Sequence, residues 1–155
     1  SAGEACVEGD RLGWSVAMEA FSGVVAAGAP GAGAEAAGRV FLFSEGGELL
    51  SSPRNAWLPR ASLDTEVFSM HAGDEFGYAV AMARSPNGMI TLVVGAPGDS
   101  NATGAVYVFA ADTADQARAG DFLITQRLDA SSGRELALGA AEGDRFGCSV
   151  AIDRD

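Results

Sequence analysis

The chain has 155 residues with 21 acidic side chains, 10 arginines and no lysine, which gives a formal net charge of −11 at pH 7. No basic cluster is available to displace counterions from phosphates, so a nucleic-acid-binding function is excluded. The longest stretch without charge, Ala20 to Ala34, is 15 residues long and contains Pro30, so it cannot supply the roughly 20 apolar residues of a membrane-spanning helix.

The remaining composition fits a folded domain. Hydrophobic residues make up 48% of the chain, and eight Phe, two Trp and two Tyr are available for a core, which excludes general disorder. The two cysteines, Cys6 and Cys148, either form one disulfide between the two ends of the chain or remain separate thiols. Residues 1–5 show no basic start followed by an apolar run, so no signal peptide is visible.

Internal repetition is the main feature of the sequence, and it appears at three places. Residues 9–18, 73–82 and 143–152 each start with Gly-Asp, followed by one charged residue, then Phe or Leu, and then Gly. In the first two repeats an apolar run follows and ends in Gly-Ala-Pro. The motif residues are Gly13, Gly28, Ala29 and Pro30 in the first repeat, Phe76, Gly77, Gly95, Ala96 and Pro97 in the second, and Phe146 and Gly147 in the third.

The start of each repeat has the pattern of a β-strand. In the first repeat Trp14, Val16 and Met18 alternate with Ser15 and Ala17, which is the period of two that places alternate side chains on opposite faces. Neither face is polar, so both must be covered by protein. Four-stranded antiparallel sheets stacked face to face meet this requirement, and the blades of a β-propeller are sheets of this kind.

The paired motifs resemble the FG-GAP repeat of the integrin α-subunit β-propeller and its relatives. The resemblance implies an all-β chain that forms part of a propeller, with one blade over about 9–72, a second over about 73–142, and the first strand of a third over 143–155. It also implies binding of other proteins or carbohydrates, and an extracellular location or one in the lumen of the secretory pathway or another organelle.

The sequence departs from this family where many members carry a calcium loop of the Asp-x-Asp/Asn-x-Asp type. Residues 19–23 and 83–88 occupy that interval and supply one carboxylate or none, whereas calcium takes six to eight oxygen ligands. Residues 153–155 would begin such a loop in the third repeat. We therefore expect no cofactor, and a calcium site remains the less favoured alternative.

Other candidate sites have simpler interpretations. Asp10, Asp74 and Asp144 recur at the same place in each repeat and are expected to accept hydrogen bonds from local backbone N–H groups. His71 is the single histidine, and its counterparts in the other repeats are apolar, which argues against a catalytic role. No nucleophile motif with a base is present, so we expect no catalytic residues and no enzymatic activity.

Two loop motifs bear on ligand binding and on modification. Residues 31–36 fit the G-x-G-x-x-G/A dinucleotide fingerprint, but the next strand is expected by Gly38, which leaves no room for the helix that binds the pyrophosphate. A hairpin loop is predicted there, and a second one over residues 98–103. Asn101 begins an N-x-T tripeptide in this second loop and is a possible glycosylation site.

The number of blades bears on function, because a propeller closes with about four to eight of them and stacked repeats need neighbours to bury their faces. We therefore expect further protein on the outer sheets: more blades of a longer chain, additional copies, or a different protein. The leading interpretation is a non-catalytic interaction or scaffolding module with an adhesive or structural role. The alternatives are the accessory propeller region of a secreted hydrolase and a calcium-dependent adhesion segment.

Overall fold

The computed structural model describes residues 7–50, 71–129 and 141–153. Seven strands in this part of the chain form two antiparallel sheets, one of three strands and one of four. We call them blade 1 and blade 2. Blade 1 consists of β1 (Ser15–Glu19), β2 (Val24–Ala29) and β3 (Arg39–Ser44), and blade 2 of β4 (Ala79–Arg84), β5 (Ile90–Ala96), β6 (Ala105–Ala111) and β7 (Leu123–Asp129).

In each blade, neighbours in sequence are neighbours in the sheet. In blade 1, Ser15 pairs with Gly28, and Gly28 pairs in turn with Val40. The loops over 30–38 and 97–104 each join two antiparallel strands, which confirms the two predicted hairpins. The fourth strand predicted for the first repeat falls on residues 51–70, outside the described residues.

Blade 2 confirms the predicted four-stranded antiparallel sheet, with a register shift opposite Val108 and Phe109 where β7 contains an extra residue, Thr125. The helix α1 (Ala114–Arg118) between β6 and β7 was not predicted. Thr113 caps it, since its hydroxyl accepts from the Gln116 N–H and the Gln116 side chain accepts from the Thr113 N–H. Among the described residues, no helix has the length and hydropathy to span a bilayer.

The two blades share one core. Strand β4 contacts both β1 and β2, and buried apolar side chains from both blades belong to one cluster. Phe76, which precedes β4, is fully buried and makes edge-to-face contacts with Tyr107 and Phe109, at ring-centroid distances of 5.5 and 6.1 Å. Such face-to-face packing is expected of stacked propeller blades.

Candidate protein-interaction surface

The Gly-Asp start of each repeat folds into the same tight corner, over residues 9–14, 73–78 and 143–148. In each corner the aspartate accepts a hydrogen bond from the backbone N–H three residues earlier, which confirms the predicted local role and shows that the bond runs back along the chain. The N···Oδ2 distances are 2.8 Å for Val7 to Asp10, 2.6 Å for His71 to Asp74 and 2.7 Å for Ala141 to Asp144.

A left-handed residue follows the aspartate in all three corners. Arg11, Glu75 and Arg145 have φ values of 57°, 55° and 54°, although non-glycine residues rarely adopt positive φ. A backbone hydrogen bond closes each corner three residues further on, for example from the Tyr78 N–H to the Glu75 carbonyl at 3.0 Å. The corners are therefore equivalent in backbone structure although their side chains differ.

The second corner docks directly onto the backbone of blade 1. The Phe76 N–H donates to the Ala37 carbonyl at 3.0 Å, and Phe76 forms a parallel bridge with Gly38. A Cβ atom placed on Gly28 would lie 2.0 Å from the Gly77 carbonyl oxygen. No side chain larger than that of glycine fits at position 28 without moving the backbone of β2 away from that of the second corner.

The third corner docks onto blade 2 in the same way. The Phe146 N–H donates to the Thr103 carbonyl at 2.9 Å, and Phe146 bridges Gly104. A Cβ atom on Gly95 would lie 1.9 Å from the Gly147 carbonyl oxygen. The structure thus brings together the glycine of Gly-Ala-Pro in one repeat and the Phe-Gly of the next. The adjoining Ala29, Pro30, Ala96 and Pro97 are buried.

The first corner has no such counterpart among the described residues. A Cβ atom on Gly13 would meet nothing within 4 Å. The large apolar side chains around it are exposed; we call them the apolar stripe, and they are Leu12 (44%), Trp14 (51%), Val16 (60%) and Met18 (58%).

The corresponding side chains of blade 2 lie against blade 1. Phe76, the counterpart of Leu12, is fully buried, and Val80 and Met82 are partly buried against the shared core. The stripe therefore has the composition of an inter-blade face but the exposure of a surface.

Ionic and aromatic contacts connect successive corners. Glu75 accepts from Arg145 at 2.5 Å and lies 3.7 Å from Arg11, so one carboxylate faces an arginine on each side. The Trp14 and Tyr78 rings have centroids 5.5 Å apart. These contacts join the corner of one repeat to the corner of the next.

Residues 19–23 and 83–88, the interval in which many members of the resembled family carry a calcium loop, do not fit a calcium ion. In blade 1 the buried Glu19 carboxylate accepts from the N–H groups of Phe21 and Ser22 at 3.0 and 2.7 Å. Two arginines lie beside this turn: the Arg84 guanidinium carbon is 3.9 Å from the Phe21 ring centroid, and Arg118 Nε donates to the Ser22 carbonyl at 3.1 Å. One engaged carboxylate among cationic groups does not make an oxygen-rich site.

The same interval in the second repeat is also closed by its own hydrogen bonds. The Asn87 side-chain oxygen accepts from the Met89 N–H at 3.2 Å, and the Ser85 hydroxyl donates to the Met89 carbonyl at 3.3 Å. Between the two turns lies an open groove of about 470 Å³, lined by Glu19, Ala20, Phe21, Arg84, Ser85 and Pro86. In the third repeat, Asp153 is described and residues 154–155 lie outside the described residues.

A buried polar network fixes the β5–β6 loop of blade 2. Tyr107 donates its hydroxyl proton to Asp99, and Arg127 donates to both Asp99 (3.0 Å) and the Tyr107 hydroxyl (3.2 Å). Burial, followed by the hydrogen bond to Asp99, raises the pKa of Tyr107 well above its ordinary value of 10. The network holds the loop to β6 and β7.

The remaining predicted sites take ordinary positions. Asn101 is exposed and has a φ of 58°. Its glycosylation stays a prediction. His71 lies at the start of the second corner, with its side chain 72% exposed and its Nδ1 3.8 Å from Asp74. Cys148 is an exposed free thiol, and Cys6 lies outside the described residues. Within the three described ranges, no group of His, Cys, Asp and Glu side chains is arranged to hold a metal ion.

Comparison with known proteins agrees with this geometry. The family model of the FG-GAP repeat matches residues 70–109, which include the second corner, β4, β5 and most of β6. No curated protein matches the chain. FG-GAP repeats indicate a β-propeller type of interaction module, and the two stacked antiparallel sheets are consistent with propeller blades. The chain therefore contains an FG-GAP repeat over residues 70–109.

Proposed function

We propose that the chain is a non-catalytic module that binds other protein through the open face of blade 1, in an adhesive or structural role. The observation that carries the proposal is the apolar stripe on the first corner and β1. Leu12 and Trp14 lie in the corner, Val16 and Met18 lie on the strand, and each is 44–60% exposed. Together they form the kind of patch that marks a protein-binding surface.

The energy available at the stripe supports binding. Complete burial of one large apolar side chain contributes about 1.5–3 kcal/mol, so partners that cover the exposed part of all four gain several kcal/mol. The surface is also rigid, because β1 is paired along its length with β2. A rigid apolar surface loses little conformational entropy on binding.

The buried acids support a non-catalytic role, because hydrogen bonds within the protein use them. Asp10 and Asp74 accept from backbone N–H groups, Glu19 closes the β1–β2 turn, and Asp99 is held by Tyr107 and Arg127. A general acid or base needs a free position opposite a substrate atom. The same proposal places the protein in an extracellular or luminal compartment, in keeping with its FG-GAP repeats and an exposed acceptor tripeptide at Asn101.

The test is the mass of the native particle that contains the chain, compared with a variant in which Val16→Asp places a charge in the stripe. We expect the native particle to exceed the mass of one chain and the variant to be released from it. Leu123→Asp is the matched control, since Leu123 is equally exposed (60%) but lies on β7 of blade 2. A native particle with the mass of one chain, or equal release by both variants, would contradict the proposal.

A further inference from the structure

The corners carry alternating charge at one backbone position. Arg11, Glu75 and Arg145 all follow the corner aspartate and all have left-handed φ, so they are equivalent residues of successive repeats. Glu75 is the only acid of the three, and it lies between the two arginines, 3.7 Å from Arg11 and 2.5 Å from Arg145. The order along the stack is therefore positive, negative, positive.

We infer that the apolar stripe docks another blade of the FG-GAP type, and that the corner of this blade presents a carboxylate to Arg11. The inference rests on the proposed function and names the partner of the same surface. The partner also needs a glycine at the position of Gly28 and Gly95, so that its backbone can reach the Gly13 corner. A blade with these two features would cover β1 as blade 1 covers β4.

Continuity with the two observed interfaces supports this partner. Corner two docks on blade 1 and corner three docks on blade 2, with the same backbone hydrogen bond (3.0 and 2.9 Å) and the same glycine contact (2.0 and 1.9 Å). Corner one has the same backbone conformation, with φ of 57° at Arg11 and 83° at Gly13. It therefore presents the same docking surface, and no residue in ranges 7–50, 71–129 or 141–153 docks there as corners two and three dock on their blades.

The charge of the partner follows from the order along the stack. Arg11 lies over the Trp14 ring at 5.2 Å, at the edge of the stripe, and its side chain is 40% exposed. A second cation docked beside it would be repelled, whereas a carboxylate would form the kind of pair that Glu75 forms with Arg145. Exposed ion pairs contribute little affinity but discriminate between partners. The stripe thus provides attachment, and the corner charge provides selection.

A second copy of the chain fits this surface less well. The small-residue face of blade 2 that would be needed, with Gly95 and Gly104, is already in contact with Phe146 and Gly147 of the same chain. A second copy would have to displace that segment before its blade 2 could cover the stripe.

The test supplies the missing blade from the protein's own sequence. Residues 71–140 are duplicated and joined to Val7 in place of residues 1–6, so that the full chain from Val7 onwards follows an added copy of blade 2 in repeat register. The added corner then presents its own copy of Glu75 to Arg11. Trp57→Phe leaves Trp14 as the single tryptophan, because the duplicated segment contains none.

We expect the Trp14 emission to shift to shorter wavelength, and amide exchange of residues 14–18 to slow by at least about tenfold, relative to the original chain carrying Trp57→Phe. Two controls change only the added corner, Glu75→Gln and Glu75→Arg in the duplicated copy. Protection of residues 14–18 should fall in the order Glu, Gln, Arg, and the differences should shrink in high salt.

Three results would overturn the inference. In a folded, monomeric three-blade chain, unprotected residues 14–18 would contradict docking of a blade. Equal protection with Glu, Gln and Arg would contradict the carboxylate. Concentration-dependent protection of residues 14–18 in the original chain would assign the stripe to a second copy. Each result leaves the proposed function intact, because release of the chain by Val16→Asp tests the native partner independently.

Discussion

The two blades share a backbone plan, but the pair of side chains that connects a hairpin loop to its strand differs between them. In blade 1 the pair is Ala32 and Phe41, both buried and apolar. In blade 2 the equivalent residues are Asp99 and Tyr107, joined by a buried hydrogen bond. The two blades therefore differ at both positions, with an apolar contact in blade 1 and a polar one in blade 2.

Both repeats keep the same backbone contacts between the corner and the hairpin loop, whereas the side chains around these contacts differ. The backbone contacts are constant: the Gly31 N–H donates to the Asp10 carbonyl at 3.1 Å, and the Gly98 N–H donates to the Asp74 carbonyl at the same distance. The side chains around them are interchangeable as long as buried polar groups are paired. Glycine positions should therefore be the most sensitive to substitution, and paired side chains should compensate one another.

The largest effect is expected for Gly28→Ala, compared with Gly13→Ala. The new methyl group at position 28 would collide with the Gly77 carbonyl and push the blades apart, which should lower the free energy of unfolding by about 3 kcal/mol. At Gly13 nothing lies within 4 Å and only the positive φ of 83° is strained, at a cost of about 1–2 kcal/mol. Urea unfolding measures both, and equal losses would show that the close approach is unimportant.

A smaller effect is expected from converting the polar pair of blade 2 into the apolar pair of blade 1. Tyr107→Phe removes a donor from the buried Asp99 and should cost about 1–3 kcal/mol. In Asp99→Ala with Tyr107→Phe, both partners are removed, so the loss should be smaller than the sum of the single losses by about 1 kcal/mol. Arg127 keeps its pair with Asp129 in every variant. Additive losses in denaturant unfolding would contradict the coupling.

A smaller effect, which depends on pH, is expected on the free energy of unfolding when Asp74 is replaced. Burial raises the pKa of Asp74 above its ordinary value of 3.8, and the charge of Asp99 adds to the increase. The folded state therefore holds this proton more tightly than the unfolded state, and the stability contribution of Asp74 falls as the pH rises through the window above 3.8.

Asp74→Asn keeps an acceptor for the His71 N–H without the charge. We expect this variant to match or exceed the wild type at pH 7 by up to about 1 kcal/mol, with the difference vanishing below the ordinary pKa. Asp74→Ala, which loses the hydrogen bond, should cost about 1 kcal/mol at both pH values. Thermal unfolding at pH 7 and pH 3 measures the series. The interpretation is wrong if Asn is as harmful as Ala at pH 7.

The smallest expected effect is that of calcium removal. The β1–β2 turn is closed by Glu19 and flanked by Arg84 and Arg118, so a chelator should leave the melting temperature unchanged and added calcium should not raise it. Calcium-dependent stabilisation would instead support the calcium-dependent adhesion segment.

The sequence predicted the blades because their signals are local. Alternation along β1 and β4, and the turns at the two Gly-Ala-Pro loops, depend on neighbouring residues. The contact of Gly28 with Gly77 was not predictable, because nothing local indicates which backbone approaches from 49 residues away. Arg118, whose bond to Ser22 spans 96 residues, is a further example. Helix α1 had a local signal that was overlooked, the Thr113-to-Gln116 capping box.

The most direct measurement of the central claim compares amide exchange in β1 and β4 of the monomeric chain. Both are edge strands paired to one neighbour in their own sheets, so they differ mainly in the blade packed against their outer face. We predict slow exchange over residues 77–83, which blade 1 covers, and much faster exchange over residues 13–19. Equal protection of the two segments would contradict an open docking face on blade 1.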